Sequence, residues 1–384
     1  MLDLNLHIAS LLDDLAAVQT SMYPRRAYER AARKVMLLPE PARDELALPD
    51  IGKTATSVVR EVLATGTSTT VRKAVEASGR RADVESRRAL REGFISLAVA
   101  RMVLNDTSTK AIGLKDHRAD LQMHSTWSDG SRSIAELAIA CIERGYRHMA
   151  VTDHTEGLSI TRGLSAAGLQ AQHREIDAIN DTTDGRFVVF KGIEANILAD
   201  GSIDFRLRQG FGATSPESQG SGGTSPDRQG FGATGPSRHG SGATDTMVVL
   251  AAPHSKLDTD EDQTRRLVKA ASTPGVHILA HPSGRKFGKR PGIRADWSQV
   301  FAAAKANDVA IEIDGDPSRQ DLPYALAREA YDAGCLIAID SDAHDLDELC
   351  FAEIGLAHAR LAGIPASRVI NTWTTKKLEA WLRR

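Results

Sequence analysis

The chain has 384 residues, 41% of them hydrophobic, and a formal net charge of -2 at pH 7, so charge alone gives no reason to expect a polyanion partner. This length predicts one large domain and one smaller domain. The three cysteines form no close pair, no apolar run approaches the roughly 20 residues of a membrane span, and no signal peptide is evident, which predicts a cytoplasmic protein without disulfides, thiolate zinc sites or membrane contact.

Residues 1–118 are predicted to be helical. Apolar residues recur at helix spacing between Leu4 and Val18 and again between Tyr28 and Val35. A turn at residues 48–53 then leads into a helix that ends at Gly66. We expect a small helical domain at 1–78 and a helical connector at 79–118. This region has 19 Lys+Arg and 15 Asp+Glu, and its cations concentrate between positions 23 and 34. Such a basic region is typical of nucleic-acid enzymes, but also of a solvated helix face.

From Ala119 onward, strands alternate with helices, which favours parallel strand pairing and an α/β fold. Seven strands are predicted, at 119–124, 147–152, 186–194, 246–253, 275–280, 309–314 and 335–341. The third and fourth strands are separated by a Gly/Ser/Thr/Pro-rich repeat at 209–244, inside an insert at 206–245. The repeat has almost nothing to bury and predicts a flexible loop.

Nine potential metal ligands lie at or just after the ends of these apolar runs: Gln122, His124, Asp129, His154, Glu194, His254, His281, Asp342 and His344. Because both the first and the last strand contribute, a closed barrel is favoured over an open sheet. Imidazole and carboxylate together suit Zn²⁺, Mn²⁺ or Fe²⁺, and nine ligands are too many for one ion. The pattern therefore predicts a cluster of two or three divalent metal ions.

These residues resemble the polymerase and histidinol phosphatase (PHP) superfamily, and more narrowly the C-terminal PHP domain of bacterial family X DNA polymerases. The motifs DLQMHSTWSDG, GIEAN, PHSK, AHPSGR and DSDAH occur in order over residues 119–384. The resemblance implies a distorted (β/α)₇ TIM-like barrel with three metal ions.

By position in these motifs, the resemblance implies three ligand sets. Gln122, His124, Glu194 and Asp342 would hold the first metal; Glu194, His254 and His281 the second; and Asp129, His154 and His344 the third. An amide oxygen at Gln122 is a harder ligand than imidazole and favours Mn²⁺ over Zn²⁺ at the first site.

The N-terminal region resembles the small helix–hairpin–helix domain of family X polymerases, through ALPDIGKTATSVVREVLATG. The resemblance implies that Gly52 and Lys53 contact DNA, at a helix N-terminus where backbone N–H groups bind phosphate. Asp50 places a carboxylate at that position, which opposes tight binding. Val58 stands where lyase-active relatives have a lysine, and roughly 50 residues between Gly66 and the barrel leave no room for a polymerase palm. The sequence therefore predicts neither lyase nor polymerase activity.

The resemblance implies metal-assisted hydrolysis of a phosphate ester. Asp153 or His154 is the candidate for proton transfer to the leaving alcohol. Four cations near the ligand motifs are candidates for binding the substrate phosphate: Arg162, Lys256, Arg285 and Arg319. Three functions stay open: 3′–5′ exonuclease or 3′-end processing of DNA in repair, a small-molecule phosphatase such as histidinol-phosphate phosphatase, and a non-catalytic DNA-binding accessory module.

Overall fold

The computed structural model describes residues 2–43, 50–158, 161–205 and 246–384. The predicted repeat insert at 206–245 lies outside the described residues, as do Leu48 and Pro49 of the predicted hairpin turn. Among the described residues, no helix is both long and apolar enough to cross a membrane.

The described residues before the barrel form six α-helices: α1 (Leu4–Val18), α2 (Met22–Met36), α3 (Lys53–Thr65), α4 (Thr69–Ser78), α5 (Arg81–Ala89) and α6 (Leu97–Asn105). Short polar side chains cap several of them. Asp3 accepts a hydrogen bond from the backbone nitrogen of Leu6, and Ser96 caps α6 in the same way. Gly66 ends α3 in the left-handed conformation, at the position that the sequence predicted.

The hydrophobic cores of the two units divide between Phe94 and Ile95. The first core includes Ile8, Val35 and Val59, extends along the chain to Phe94 and takes in Phe287 from the loop after β5. Ile95 and the apolar face of α6 belong to the core of the barrel. The boundaries that we predicted at 78 and 118 stay predictions.

Seven strands follow in one parallel sheet, in the order β1 to β7: β1 (Ala119–Asp120), β2 (His148–Val151), β3 (Val188–Asn196), β4 (Met247–Ala252), β5 (Ile278–Leu279), β6 (Ala310–Asp314) and β7 (Leu336–Asp340). A parallel bridge between Met123 and Ala343 joins the segments that follow β1 and β7. The backbone nitrogen of His124 also donates to the carbonyl oxygen of Ala343 at 2.9 Å. The sheet is therefore a nearly closed barrel, as the sequence predicted.

In the described part of the barrel there are seven helices: α7 (Ile134–Glu143), α8 (Ala166–Thr183), α9 (Thr264–Ala271), α10 (Trp297–Ala306), α11 (Tyr324–Asp332), α12 (Phe351–Leu361) and α13 (Thr375–Leu382). Successive strand residues face opposite sides, so Leu250 packs in the interior and Val249 packs against the outer helices. The last helix, α13, was not predicted. Trp373 and Trp381 pack with the interior residues and close the end of the barrel where the strands begin.

Candidate metal centre

The other end of the barrel carries the predicted ligands. All strands run in parallel, so the residues that follow them converge at one mouth. His124 follows β1, His154 follows β2, and Glu194 lies within β3. His254, His281 and the pair Asp342 and His344 follow β4, β5 and β7.

Glu194 lies at the middle of the cluster and contacts four histidines. Its Oε1 atom is 2.8 Å from Nε2 of His281 and 3.2 Å from Nε2 of His254. Its Oε2 atom is 3.3 Å from Nε2 of His124 and 3.2 Å from Nδ1 of His154. One carboxylate between two pairs of imidazoles has the geometry of a bridging ligand.

Asp129 forms the outer side of the cluster. Its Oδ2 atom is 3.6 Å from Nε2 of both His154 and His344. The ring of His124 stacks between the rings of these two histidines, with centroid distances of 4.5 and 4.3 Å. Nε2 of His124 lies 3.1 Å from Oδ1 of Asp342, so His124 connects the outer and inner sides.

The ligand residues form three groups, and within each group the ligand atoms lie within 4.8 Å of one another. The groups are His124, Asp129, His154 and His344; His154, Glu194 and His254; and His124, Glu194 and Asp342. Among the described residues, buried atoms without a hydrogen-bond partner include Nδ1 of His281 and Oε2 of Glu194. Unsatisfied buried nitrogen and oxygen atoms are costly unless a ligand binds them, so the cluster fits divalent metal ions. His124, His154 and Glu194 belong to two groups each, whereas in the sets that the motifs implied only Glu194 was shared.

The electrostatics also fit cation binding. Burial would raise the pKa of Glu194, but the surrounding histidines outweigh it and hold the pKa well below its usual range. The same competition lowers the pKa of Asp129 to about 2. Burial lowers the pKa of His154 to about 4. At neutral pH these carboxylates are charged and His154 is neutral. A charged carboxylate and a neutral imidazole are the forms of these side chains that bind metal ions.

Two residues that support this cluster were missed in the sequence. Oδ1 of Asn196 lies 2.6 Å from Nδ1 of His254 and orients that ring towards Glu194. Glu312 accepts the backbone N–H of His281 at 2.6 Å, and in the amide orientation that suits its neighbours Gln122 donates to Glu312 at 2.9 Å. Asn196 could have been found in the sequence, because it lies two positions after Glu194 on β3 and alternate residues of a strand face the same side. For Glu312 the signal was its place near the end of β6.

The two candidates for proton transfer differ in their surroundings. Asp153 is fully buried and accepts hydrogen bonds from Ser125, Ser128 and Gln172. These bonds occupy both carboxylate oxygens and fix the loop after His124, so we interpret Asp153 as a positioning residue. His154 lies within the ligand cluster, and its role in proton transfer stays a prediction.

The four predicted phosphate-binding cations are dispersed. Nε of Arg319 lies 3.7 Å from Oδ2 of Asp342, and this guanidinium borders the cluster. Arg285 is buried elsewhere: it donates to the carbonyl oxygen of Glu92 at 2.7 Å and lies over the ring of Phe94. Lys256 is exposed, with Nζ 3.5 Å from Oε2 of Glu261, and Arg162 is exposed as well. The structure therefore brings Arg319 to the ligands and turns Arg285 towards the N-terminal unit.

The candidate DNA contacts lie at the start of α3. Gly52 has a φ of 85° and, like Lys53, is exposed. The backbone nitrogen of Gly52 lies 3.3 Å from Oδ1 of Asp50 and donates to it. The carboxylate of Asp50 thus lies beside the N-terminus of α3, and the contact of Gly52 and Lys53 with DNA stays a prediction.

The chain is 33% identical over 278 residues to the DNA polymerase/3′-5′ exonuclease PolX of Bacillus subtilis, an alignment that covers 72% of this chain and 43% of PolX. It is 25% identical over 234 residues to a probable phosphatase of Citrobacter koseri, covering 59% of this chain and 78% of that protein. The chain thus spans less than half the length of PolX.

A crystal structure of histidinol phosphate phosphatase from Lactococcus lactis, complexed with zinc, L-histidinol and phosphate, is similar with a TM-score of 0.39 and 14% identity. That similarity covers 63% of this chain and 94% of the other. No protein-family model matches the chain. The ordered motifs, the seven-stranded barrel, the ligand cluster and the relationship to PolX lead to one conclusion. The chain belongs to the polymerase and histidinol phosphatase (PHP) superfamily.

Proposed function

We propose that this protein is a metal-dependent 3′–5′ exonuclease or 3′-end-processing enzyme that acts on DNA in repair. One observation carries the proposal: the ligand cluster and a basic helical unit occur together in a chain that is 33% identical over 278 residues to a protein named for 3′-5′ exonuclease activity. A small-molecule phosphatase does not need a helical unit of this kind.

Each part of the cluster has a proposed role. Glu194 would serve two ions, one held together with His254 and His281 and the other together with His124 and Asp342. Asp129 would complete the outer group. Divalent ions bound there supply an activated water at neutral pH and offset the charge of the phosphoryl oxygens. We propose Mn²⁺, Zn²⁺ or Fe²⁺ for these sites.

Arg319 would orient the scissile phosphate. Burial alone would lower its pKa, but the carboxylates of Asp342 and Asp314 outweigh burial and raise the pKa, so the guanidinium stays charged. It is half-buried beside the ligands, where a phosphoryl oxygen can accept its hydrogen bonds.

We also propose that the chain has neither polymerase nor lyase activity. Roughly 50 residues lie between Gly66 and the first strand of the barrel, and they form α4, α5 and α6 instead of a nucleotidyl-transfer domain. Val58 is fully buried in α3 and supplies no amine for a Schiff base.

The proposal predicts Mn²⁺-dependent, stepwise shortening of a 5′-labelled DNA strand by the purified protein, with no phosphate released from histidinol phosphate under the same conditions. Replacing His254 or His281 with alanine should reduce the rate more than 100-fold, beyond the roughly 10–100-fold typical of residues that only support ligands. His173→Ala, on α8, is the matched control and should retain the wild-type rate.

The opposite pattern would overturn the proposal. Release of phosphate from histidinol phosphate without DNA shortening would identify a small-molecule phosphatase. Wild-type rates in both His254→Ala and His281→Ala would remove the assigned ligands from the catalytic site.

A further inference from the structure

A cavity of about 290 Å³ lies between α2 and the barrel loops that follow β5 and β6. We call it the seam pocket. Its floor is apolar and includes Ala32 and Met36 from α2 with Phe287 and Pro317 from the barrel loops. Its size approaches the lower end of small-ligand sites, roughly 300 Å³.

The rim of the seam pocket is cationic. Five of its lining residues are cations, namely Arg26, Arg30, Arg33, Lys286 and Lys289, and two are carboxylates, namely Asp13 and Glu29. The carboxylates do not neutralise this excess, because Asp13 also contacts Arg87 and Arg91 and Glu29 also contacts Arg25.

Two arginines on the rim of the seam pocket have no ion-pair partner among the described residues and can bind an anion. Arg33 is paired with Glu348 at 2.5 Å and Lys289 with Glu29 at 3.1 Å. Arg26 and Arg30 are exposed and take part in none of the ion pairs between described residues. An arginine pair without a carboxylate, beside an apolar floor, suits a phosphate attached to a flat apolar group.

The loop after β6 contributes to both the seam pocket and the border of the metal centre. Pro317 and Ser318 line the pocket, and the next residue, Arg319, lies 3.7 Å from Asp342. Burial and the nearby Arg319 lower the pKa of Lys286, so the lysine of the pocket and the arginine that borders the centre lie near each other. A polyanion that ends at the metal centre can therefore continue along this row of cations into the pocket.

We propose that the seam pocket binds one nucleotide unit, with its base on the apolar floor and its phosphates on Arg26, Arg30 and Lys286. This inference rests on the proposed function, and in that setting the nucleotide belongs to the substrate strand upstream of the scissile bond. A free mononucleotide has the same chemistry and is the other source that the experiment separates.

The test compares Arg26→Glu/Arg30→Glu with the wild-type protein on two substrates. For a single-stranded oligonucleotide we expect KM to rise about tenfold or more, and the slope of log KM against log salt to change by about 1.4, because each lost phosphate contact is worth about 0.7 on a single strand. Hydrolysis of bis(p-nitrophenyl) phosphate, which has no nucleotide upstream of its scissile bond to occupy the pocket, should be unchanged.

The matched control is Arg144→Glu/Lys376→Glu, which makes the same charge change at two exposed positions near the opposite end of the barrel. It should leave the oligonucleotide KM near the wild-type value. An equal rise in both double variants would assign the effect to overall charge and overturn the inference.

Further outcomes separate the inference from the proposed function. If the wild-type protein shortens DNA and the pocket variant has an unchanged KM, the inference is wrong and the proposed function stands. If the wild-type protein does not cleave DNA, the proposed function is wrong, and titration with dAMP decides the pocket. Binding of dAMP that the Arg26→Glu/Arg30→Glu variant loses would support a mononucleotide site, and no binding would overturn it.

Discussion

The side chain of Asn196 links the metal centre to the loop after β3. Its Oδ1 atom faces Nδ1 of His254 at 2.6 Å, while its amide nitrogen donates to Oγ1 of Thr155 at 3.1 Å and to Asp204. Nδ1 of His254 therefore carries the proton, and Nε2 is the atom left to bind a metal ion. The orientation of one predicted ligand depends on a residue that is not itself a ligand.

We expect Asn196→Ala to reduce metal affinity and activity by roughly 10–100-fold, because supporting partners of metal-bound histidines have effects of this size. Metal content after dialysis against a weak chelator would measure the change. Asn180→Ala removes a comparable amide bond to Val189 outside the centre and serves as the control. Equal metal retention in Asn196→Ala and the wild-type protein would contradict the assigned role.

At the scale of elements, α6 packs on the barrel, and the segment before it connects the helical unit to the barrel. Nε and Nη2 of Arg101 on α6 lie 2.7 and 3.1 Å from the two carboxylate oxygens of Glu353 on α12. The buried amide of Gln320 accepts the backbone N–H of Ile95 at 2.9 Å and donates to its carbonyl oxygen at 2.8 Å. The same oxygen atom of Gln320 lies 2.8 Å from Nε2 of His358. The side chain of Gln320 thus provides hydrogen-bond partners for both backbone groups of Ile95, where the two hydrophobic cores meet.

Gln320→Leu keeps the volume of the side chain but leaves the polar groups of Ile95 without this partner. Each unsatisfied buried polar group costs about 1–3 kcal/mol, and both backbone groups of Ile95 lose their partner, so we expect the free energy of unfolding in urea to fall by at least about 2 kcal/mol. The same substitution at Gln170, which is exposed on α8, should change it by less than about 0.5 kcal/mol. Similar values for the two variants would show that the Ile95 contacts do not contribute.

At the scale of the whole molecule, buried histidines outside the metal centre couple stability to pH. Burial lowers the pKa of His117, His148 and His277 to about 4 and that of His358 to about 3. In an unfolded chain the pKa of histidine is about 6.5. Between these values the unfolded state binds protons that the folded state does not. The free energy of unfolding should therefore fall as the pH decreases from about 6.5 to about 4.

His148→Phe removes one of these groups and keeps an aromatic ring beside Phe190. We expect the dependence of the free energy of unfolding on pH, between about pH 6 and pH 5, to become shallower by up to about 1.4 kcal/mol per pH unit. Urea unfolding of both proteins in chelator at each pH would measure this difference. Parallel pH profiles would show that His148 does not take part in the coupling.

The sequence by itself determined the fold class and the ligand types. Strand–helix alternation predicted seven parallel strands, and His, Asp and Glu at the strand ends predicted a metal cluster, because both signals are local and repeat at short intervals along the chain. The missed residues carry no such signal. The role of Asn196 depends on where the ring of His254 lies, 58 positions away, and the role of Glu312 depends on Gln122 and His281.

Only the tertiary structure decided which charges face one another. Arg285 and Arg319 look equivalent as cations close to ligand motifs, but the first packs on Phe94 and the second borders Asp342. The seam pocket likewise joins a basic helix near the N-terminus to loops about 250 residues later. Such pairings are set by how helices pack on the barrel. Their energies depend on distances and burial across the fold, which no local pattern of residues contains.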